Sequence, residues 1–310
     1  MQLDYFVVDV FTRRALGGNP LAVVMNSVDL TTEQMQAIAR EFNLSETSFV
    51  ERRDAEVEKA EGVRTRIFTT MEELPFAGHP TLGTASVIKH HFSEAVREDT
   101  VTLALNSGPV PVRFGDAPAG DGEVASEALF GEMTQQDAEF GMELEPSEVA
   151  WLIGLAEEDL DPDLTPQIVS TGTPFAIVVL NSYEALERLQ VIHREATGWL
   201  RERGARWFYV LGPTDEPDPA WRARMQFSGS EDPATGSAAG CAISYLVRHG
   251  AVASGERVSL RQGVEIGRPS DLYLSAEMKS EGENKEPVKV TEIRVAGSTV
   301  LVAKGQLFLP

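Results

Sequence analysis

The chain has 310 residues, of which 42% are hydrophobic and 24% are charged, so it is long enough to form two domains with apolar cores. Its formal net charge of −21 argues against a nucleic-acid partner, because phosphate backbones are bound by basic surfaces. No apolar run approaches the roughly 20 residues that span a bilayer, and the N-terminal MQLDYFVVDVF does not resemble a signal peptide. The single cysteine, Cys241, leaves no internal disulfide, so we expect a cytoplasmic protein without a membrane partner.

The first part of the chain alternates predicted strands with two predicted helices. The β-branched runs LDYFVVDVF and PLAVVM indicate strands, and so do SFVER and VRTRIFT further along. Between these pairs, TTEQMQAIAREF has apolar and small residues at the spacing of a helix, with Thr31 or Thr32 as its N-cap. A second helix is predicted from Pro80, and the strand VTLALN follows it.

The later part of the chain repeats this order. The run IVSTGTPFAIVVL indicates strand structure, a helix is predicted around EALERLQVIHREATGWLRER, and WFYVL and WRARMQF indicate further strands. Another helix is predicted from Pro233, and the strand RVSLRQ follows it. The C-terminal TEIRVAGSTVLVAKGQLFLP predicts two strands joined by a Gly-Ser turn.

Four segments of the first half recur in the second half in the same order. GNPLAVV matches GTPFAIV at an offset of 154 residues, and the segment around His79 matches the segment around Asp232 at an offset of 153. RTRIF resembles RARMQF at an offset of 158, and VTLALNSG resembles VSLRQGV at 157. A nearly constant offset predicts a duplicated chain with two related lobes.

The two helices of the repeat have small residues on every side, as in GHPTLGTASVI and TGSAAGCAISYLV. Such helices are buried, so each half is predicted to wrap its β-sheet around one central helix. The predicted fold class is α+β, with two pseudo-symmetric lobes. Pro80 and Pro233 are placed near the first turn of these helices, where a missing N–H costs little. Because a helix N-terminus binds anions, two such ends facing a cleft would hold a small carboxylate.

Four polar side chains are candidates for chemistry. Glu46 follows the first amphipathic helix, and it is either a surface carboxylate or an acid/base group. His79 is either a packing residue or part of a site, Asp232 either caps its helix or acts in catalysis, and Ser237 either faces the core or binds a ligand. Because His79 and Asp232 occupy equivalent positions in the repeat, we expect them on opposite walls of one cleft. An imidazole with two acids is suited to proton transfer.

The sequence predicts neither a cofactor nor a metal. The dinucleotide motif G-x-G-x-x-G and the phosphate motif G-x-x-x-x-G-K-[ST] do not occur in a suitable context, and neither does the nucleophile motif G-x-S-x-G. His90 and His91 are adjacent, so they do not share a helix face as paired ligands. Cys241 lies within the second buried helix, where its role is predicted to be packing.

Several blocks in chain order resemble the PhzF-like family, the phenazine-biosynthesis isomerases and their relatives. These blocks are NPLAVV, NLSETSFV, RIFTTMEELPFAGHPTLGTA, EDPATGSAAG and RQGVEIGRPS, and they span nearly the whole chain. The family has the diaminopimelate-epimerase fold, in which each of two lobes folds a sheet around a central helix. The resemblance therefore implies the architecture that the repeat predicts, and it also implies a homodimer that works without a cofactor.

The resemblance implies roles for the candidate acid and base groups. Glu46, in the family's N-L-S-E-[ST] motif, would be the base and acid that moves a proton on the substrate. His79, in G-H-P, and Asp232, in E-D-P-A-T-G-S, would assist protonation and hold the substrate's polar groups.

The same resemblance implies a set of substrate contacts. Ser237 would bind the substrate together with backbone N–H groups of Gly236 and Gly83, and Gly78 completes the set. Relatives that racemise proline or epimerise diaminopimelate use two cysteines, one in each glycine loop. Here Ala77 precedes Gly78 and the loop before Gly236 has no cysteine, so two-thiol chemistry is not expected.

The implied function is a cofactor-independent isomerase that transfers a proton on a small cyclic or amino carboxylate. One candidate substrate is trans-2,3-dihydro-3-hydroxyanthranilate, which the phenazine enzyme converts to its ketone tautomer. Two alternatives stay open: a non-catalytic member that binds a metabolite, and a lyase that uses the same carboxylates. The lyase would change the mass of the product, whereas an isomerase would not.

Two chain crossings define the expected domains. The N-terminal lobe is predicted to contain residues 1–118 and 293–310, and the C-terminal lobe residues 119–292, with the active site in the cleft between them. The first crossing is placed in the Gly-, Pro- and Ala-rich DAPAGDG region, and the C-terminal strands would return to complete the first lobe.

Overall fold

The structure is a computed structural model that describes residues 1–118, 128–216, 218–227, 229–279 and 289–309. The chain divides into two compact units. The first unit consists of Met1–Thr134 and Ala296–Pro310, and the second consists of Gln135–Val295.

The limits of these units differ from the crossings placed at residues 118 and 292. The strand Leu129–Thr134 pairs with the strand Gly108–Gly115, so the first unit continues to Thr134. Residues 119–127, which contain the rest of the DAPAGDG region, lie outside the described ranges.

The elements of the first unit follow one another in a strand-rich order. Its helices are α1 (Thr32–Phe42), α2 (Ala55–Glu61) and α3 (Gly78–His91). Its strands are β1 (Gln2–Val10), β2 (Asn19–Val24), β3 (Glu46–Glu51), β4 (Val63–Phe68), β5 (Glu73–Leu74), β6 (Thr100–Leu105), β7 (Gly108–Gly115) and β8 (Leu129–Thr134). The sheet order is β1-β2-β3-β4-β6-β7-β8, with β5 beside β4. The pairs β2–β3 and β4–β6 are parallel, so β2 and β3 begin at the same edge of the sheet, and both strands contact α3.

Helix α3 is the central helix of the first unit. Every residue from Gly78 to Ile88 is buried, and strands β1, β2, β3, β6, β7 and β8 all contact the helix. Small residues allow this close packing: a Cβ atom at Gly83 would lie 2.7 Å from Cδ2 of Leu21 and 2.8 Å from Cγ2 of Val10. The predicted sheet wrapped around a buried helix is confirmed here.

The second unit has the same kind of architecture. Its helices are α4 (Pro146–Leu152), α5 (Tyr183–Glu187), α6 (His193–Glu202) and α7 (Gly236–Arg248). Its strands are β9 (Glu139–Glu143), β10 (Gln167–Ser170), β11 (Pro174–Val179), β12 (Trp207–Pro213), β13 (Trp221–Arg224), β14 (Gln226–Phe227), β15 (Ser230–Glu231), β16 (Val258–Gln262) and β17 (Ser270–Lys279). The main sheet has the order β17-β16-β13-β12-β11-β10-β9, and β14 pairs with β15 separately. Apart from Ser237 and Arg248, the residues of α7 are buried, and strands β10, β11 and β17 contact it.

The long helix predicted around residues 184–203 is wrong, because two helices occupy this segment. The N–H groups of Gln190 and Ile192 donate to the carbonyl oxygens of Ile153 and Leu152, at the end of α4. These hydrogen bonds take the place of helical ones and separate α5 from α6. None of the helices in the described ranges has the length and apolarity needed to cross a membrane.

The Gly-Ser turn predicted near the C-terminus is also wrong. A single strand, β18 (Lys289–Phe308), runs through Gly297 and Ser298. Its residues from Thr299 onward pair antiparallel with β1, and the Ser298 carbonyl accepts a hydrogen bond from the N–H of Thr12. Continuous pairing keeps this backbone extended, and residues from Ala296 onward belong to the first unit.

Candidate active site

The structure brings Glu46 and His79 together in the first unit. Glu46 is the first residue of β3 and lies beside Leu21 of the parallel strand β2. His79 is the second residue of α3. Oε2 of Glu46 lies 3.5 Å from Nε2 of His79, and the two side chains are 17% and 5% exposed. A carboxylate and an imidazole thus share a largely buried place, an arrangement suited to general acid and base chemistry.

The imidazole of His79 is held in one tautomer. Asn19, the first residue of β2, places its amide Nδ2 3.3 Å from Nδ1 of His79. An amide nitrogen only donates, so Nδ1 accepts, and the neutral ring carries its proton on Nε2, the nitrogen that faces Glu46. Burial lowers the pKa of His79 from 6.5 to about 3, so the ring is neutral at physiological pH. His79 is therefore a neutral ring whose buried Nε2 lies 3.5 Å from Oε2 of Glu46 without a hydrogen bond between them.

The start of α3 presents backbone N–H groups beside this pair. Gly78 and His79 are the first two helical residues, and Pro80 follows them without an N–H of its own. The preceding residue, Ala77, has no polar side chain with which to cap the helix. The N–H groups of Gly78 and His79 have no carbonyl partner within the helix, and such groups are suited to binding an anion.

Gly83, which the repeat offset of 153 residues pairs with Gly236, lies inside helix α3 and not at its start. It is in the second turn of α3, where backbone N–H groups bond to helical carbonyls, whereas Gly236 is the first residue of α7. The missing side chain of Gly83 instead makes room for Leu21 and Val10. The two helices begin at different points of the aligned segments, and the substrate contact that the resemblance implies for Gly83 stays a prediction.

In the second unit, Asp232 is buried in the loop between β15 and α7. Its Oδ2 accepts a hydrogen bond of 2.6 Å from Oγ1 of Thr235, and its N–H donates to the carbonyl of Met225 at 2.9 Å. Helix α7 begins at Gly236, with Thr235 as the N-cap residue, so the start predicted at Pro233 is wrong. Asp232 is four residues before the helix and is not its N-cap, which removes the capping alternative.

The first turn of α7 carries Gly236 and Ser237. Gly236 is buried, whereas Ser237 is half-buried and is the more accessible of the two. Their carbonyl oxygens accept hydrogen bonds from Nε2 of Gln135, at 2.8 Å, and from Oγ1 of Thr171, at 3.4 Å. Their N–H groups are in the first turn and have no carbonyl partner within the helix. The Ser237 hydroxyl and these N–H groups together form a set of donors suited to a carboxylate.

The candidate residues selected from the sequence omitted Asn19 and Gln262, which contact the site residues directly. Asn19 touches the ring of His79, and the side chain of Gln262 donates to the carbonyl of Asp232 at 2.8 Å. Both residues occur in segments that the sequence had marked, GNPLAVV and RQGVEIGRPS. The repeat and the family blocks identify these segments, but they do not predict which polar side chains contact His79 and Asp232.

Cys241 is buried inside α7, as the sequence predicted for a packing thiol. Its Sγ lies 3.5 Å from Oγ1 of Thr171 and 3.6 Å from the carbonyl of Thr173. Burial raises the pKa of the thiol to about 11, so the nucleophilic thiolate is scarce at neutral pH.

Comparisons with known proteins agree with this arrangement. A family model described as phenazine biosynthesis-like protein matches residues 8–305. An uncharacterized isomerase of Mesorhizobium japonicum is 34% identical over 316 residues, covering 99% of both sequences. The trans-2,3-dihydro-3-hydroxyanthranilate isomerase of Pseudomonas aeruginosa is 33% identical over 308 residues, covering 98% of this chain and 99% of that protein. A solved structure from Pseudomonas aeruginosa, described as a predicted epimerase, has a TM-score of 0.80 and 34% identity, and it covers 99% of this chain and 100% of its own.

These findings confirm the resemblance and the fold class that the sequence predicted. The match extends through both units, and the α+β architecture is shared with a structure described as an epimerase. The relatives at about one-third identity are isomerases by name. The chain therefore belongs to the phenazine biosynthesis-like protein family and is an isomerase.

Proposed function

We propose that the protein is a cofactor-independent isomerase that moves a proton on a small cyclic or amino carboxylate, with Glu46 as the proton-transferring group. The observation that carries this proposal is the contact between Glu46 and the neutral Nε2–H of His79, at 3.5 Å. A carboxylate beside a neutral imidazole can take a proton while the imidazole donates a hydrogen bond without adding charge. The Glu46 side chain is 17% exposed, so the acid formed by proton abstraction can exchange its proton with solvent.

The number of protons is conserved in the proposed reaction. Glu46 removes a proton from one carbon of the substrate and, as the carboxylic acid, delivers a proton to another, so that a double bond moves. In ordinary water the mass is unchanged, and in deuterated water the delivered proton can be a deuteron taken up from solvent. His79 hydrogen-bonds to the Glu46 carboxyl group or to the substrate during the transfer. In the first unit, the N–H of Gly78 is suited to holding an anionic group of the substrate; in the second unit, the N–H of Gly236 and the hydroxyl of Ser237 are suited to the same role.

Asp232 has two roles in this proposal. Its carboxylate accepts a hydrogen bond from an amino or hydroxyl group of the substrate, and it assists protonation of the substrate. We propose that the Glu46–His79 pair and the Asp232–Ser237 set are both required for turnover.

The first candidate substrate is trans-2,3-dihydro-3-hydroxyanthranilate. It is the compound in the name of the Pseudomonas aeruginosa relative, which is 33% identical along nearly the whole chain. Its carboxylate, amino and hydroxyl groups match the anion-binding N–H groups and the acceptor groups described above. Other small cyclic or amino carboxylates share this chemistry and form the broader substrate class.

Turnover in deuterated water tests the role of Glu46. Wild-type protein is expected to change the ultraviolet spectrum of this substrate, with deuterium entering the product and no other change in mass. Glu46→Gln should lose turnover by several orders of magnitude, because the amide is not a base at neutral pH. Glu51→Gln is the matched control, since Glu51 is the last residue of the same strand and its carboxylate lies 3.9 Å from Arg64.

Each outcome of this test separates the alternatives. A product of altered mass indicates a lyase, and saturable binding without any conversion indicates a non-catalytic binding member. Equal deuterium uptake by wild type and Glu46→Gln would contradict the assignment of Glu46. A substrate that is neither bound nor converted would rule out this compound and leave the broader class to be screened.

A cytoplasmic homodimer is also part of the proposal. The single, buried cysteine suits a reducing compartment, and the family resemblance implies a dimer. Light scattering during size-exclusion chromatography measures the mass in solution, and a particle of 33.8 kDa, the mass of one chain, would contradict the dimer.

A further inference from the structure

A buried glutamine in the second unit uses its whole hydrogen-bonding capacity around Asp232. Gln262 is the last residue of β16, and its side chain is fully buried. Its Oε1 accepts from the hydroxyl of Tyr209 at 3.0 Å and from the N–H of Thr235 at 3.1 Å. Its Nε2 donates to the carbonyl of Asp232 at 2.8 Å and to Oγ1 of Thr235 at 3.1 Å. Two donors and two acceptor positions are the complete set for an amide.

These bonds fix the direction of the hydrogen bond that reaches the Asp232 carboxylate. Because Oγ1 of Thr235 accepts a proton from Nε2 of Gln262, its own hydroxyl proton is left to donate to Oδ2 of Asp232, at 2.6 Å. The buried hydroxyl of Tyr209 donates to Oε1 of Gln262, which holds the amide in the orientation that turns Nε2 toward Thr235. A hydroxyl that donates to a carboxylate makes a short, strong hydrogen bond.

The backbone beside Gln262 is shaped to bring it this close. Gly263 has a φ of +78°, and a Cβ atom there would lie 2.6 Å from the carbonyl oxygen of Pro233. Only glycine allows the end of β16 to pass against the loop that carries Asp232 without displacing it. The end of β16 is thus joined to the loop that carries Asp232 through backbone packing and through the glutamine side chain.

We propose that Gln262 is a positioning residue for the reaction: through Thr235 it orients the hydrogen bond to Asp232 and holds that carboxylate in place for the substrate. This inference rests on the proposed role of Asp232. Gln262 acts through Thr235 and does not touch the reacting atoms.

Two variants interrupt the hydrogen bonds that link Gln262 to Asp232 through Thr235. Gln262→Glu keeps an oxygen at Oε1 but replaces the Nε2 donor, and Thr235→Val removes the hydroxyl that bonds to Asp232 while keeping the shape of the side chain. A third variant, Thr235→Ser, keeps a hydroxyl at this position. Gln167→Glu is the matched control for the glutamine, because Gln167 is also a buried residue of the second unit but bonds to Gly141 and His249.

The first measurement is the 13C chemical shift of the Asp232 side-chain carboxyl carbon, assigned by its disappearance in Asp232→Asn. We expect it to move in Gln262→Glu and Thr235→Val, to return close to the wild-type position in Thr235→Ser, and to stay unchanged in Gln167→Glu. The second is turnover, in which the first two variants should lose about 10- to 100-fold in kcat, the loss expected for one hydrogen bond to a charged group, with KM changed much less.

An unchanged Asp232 resonance in Gln262→Glu would overturn the proposal, and so would an equal loss of kcat in Gln262→Glu and Gln167→Glu. If Gln262→Glu does not fold, the comparison of Thr235→Val with Thr235→Ser decides: equal resonances and equal rates in those two would overturn it. If wild-type protein does not convert the candidate substrate, the proposed substrate fails, while the carboxyl resonance still decides whether Gln262 orients Asp232.

Discussion

The amide nitrogen of Asn19 lies 3.3 Å from Nδ1 of His79, which leaves the Nε2 proton of the neutral ring facing Glu46. One residue at the start of a strand thus sets the proton position in a residue at the start of a helix. Histidine tautomers are commonly selected in this way, by the hydrogen bond made at the other ring nitrogen.

Asn19→Asp is expected to reverse this tautomer. The new carboxylate accepts a proton from Nδ1, so Nε2 becomes an acceptor that faces the Glu46 carboxylate. Turnover should fall by at least about 100-fold, since a wrong tautomer in a comparable catalytic histidine costs more than that. The rate and the 15N shifts of the imidazole measure the two effects. Asn181→Asp, in an exposed position, is the control, and wild-type turnover by Asn19→Asp would contradict the tautomer assignment.

His79 is expected to make the protein less stable as the solution becomes more acidic. The pKa of His79 is about 3 in the folded protein and 6.5 without burial, so between these values only the unfolded chain binds the proton. The free energy of unfolding therefore falls as the pH falls from about 6.5 toward 3, by at most about 1.4 kcal/mol per pH unit from this group. Above about pH 7.5 the contribution to the pH dependence vanishes.

Urea unfolding of wild type and His79→Gln at several pH values measures this contribution. The variant lacks the titrating ring, so its free energy of unfolding should fall less steeply between pH 6.5 and 4, and the two curves should be parallel above pH 7.5. Parallel curves over the whole range would show that the ring is not held neutral by burial.

Gly240 and Gly198 are expected to respond in opposite directions to the same substitution. A Cβ atom at Gly240, in α7, would collide with the side chain of Gln135, which is itself hydrogen-bonded to Gly236. Gly240→Ala should therefore destabilise the protein by about 1–3 kcal/mol. Gly198, in α6, has no atom within 4 Å of such a Cβ, so Gly198→Ala should stabilise it by about 0.5–1 kcal/mol. Denaturant unfolding compares them, and a neutral Gly240→Ala would show that Gln135 moves aside freely.

Removing one partner of the buried ion pair between Arg224 and Glu231 is expected to lower the free energy of unfolding strongly. Nε and Nη2 of Arg224 contact the two carboxylate oxygens of Glu231 at 2.9 and 2.7 Å, and the side chains are only 9% and 6% exposed. Arg224→Met leaves the Glu231 carboxylate buried without its partner and should cost about 3–5 kcal/mol. Adding Glu231→Leu to Arg224→Met should recover part of that loss.

An exposed pair provides the comparison. Lys59 and Glu56 are in contact at 2.9 Å, but their side chains are 46% and 88% exposed. Lys59→Met should change the free energy of unfolding by less than about 1 kcal/mol. If Lys59→Met and Arg224→Met lowered the free energy of unfolding by similar amounts, burial would not determine the cost of breaking the Arg224–Glu231 pair.

The sequence was most informative where a local rule agreed with the tertiary structure. Helix α1 is confirmed over Thr32–Phe42, with Thr31 as N-cap in a capping box, because its amphipathic spacing matches the face it buries. The burial of α3 and α7 was predicted correctly from the small residues on all sides of these helices. The family blocks also placed Glu46 and His79 in motifs, but only the structure shows their contact.

Errors arose where distant hydrogen bonds decided the backbone. The break between α5 and α6 depends on carbonyl groups of α4, about 40 residues earlier in the chain, and no local propensity encodes that pairing. Likewise Gly297 and Ser298 suggest a turn, but pairing of the following residues with β1 keeps them extended. Asn19 and Gln262 were missed because amides are common surface residues, and their inward orientation depends on contacts that the sequence does not show.

The pairing of β18 with β1 has a consequence for synthesis on the ribosome. Leu3 of β1 lies opposite Leu307 of β18. Because β1 is synthesised first and the end of β18 last, one edge of β1 stays unpaired until synthesis is nearly complete. Until then β1 has only β2 beside it, and its outer N–H and C=O groups are open to pairing with other chains. The first unit therefore cannot complete its sheet during elongation, although most of its residues emerge first. A nascent chain paused before residue 299 should be a client for chaperones that shield strand edges.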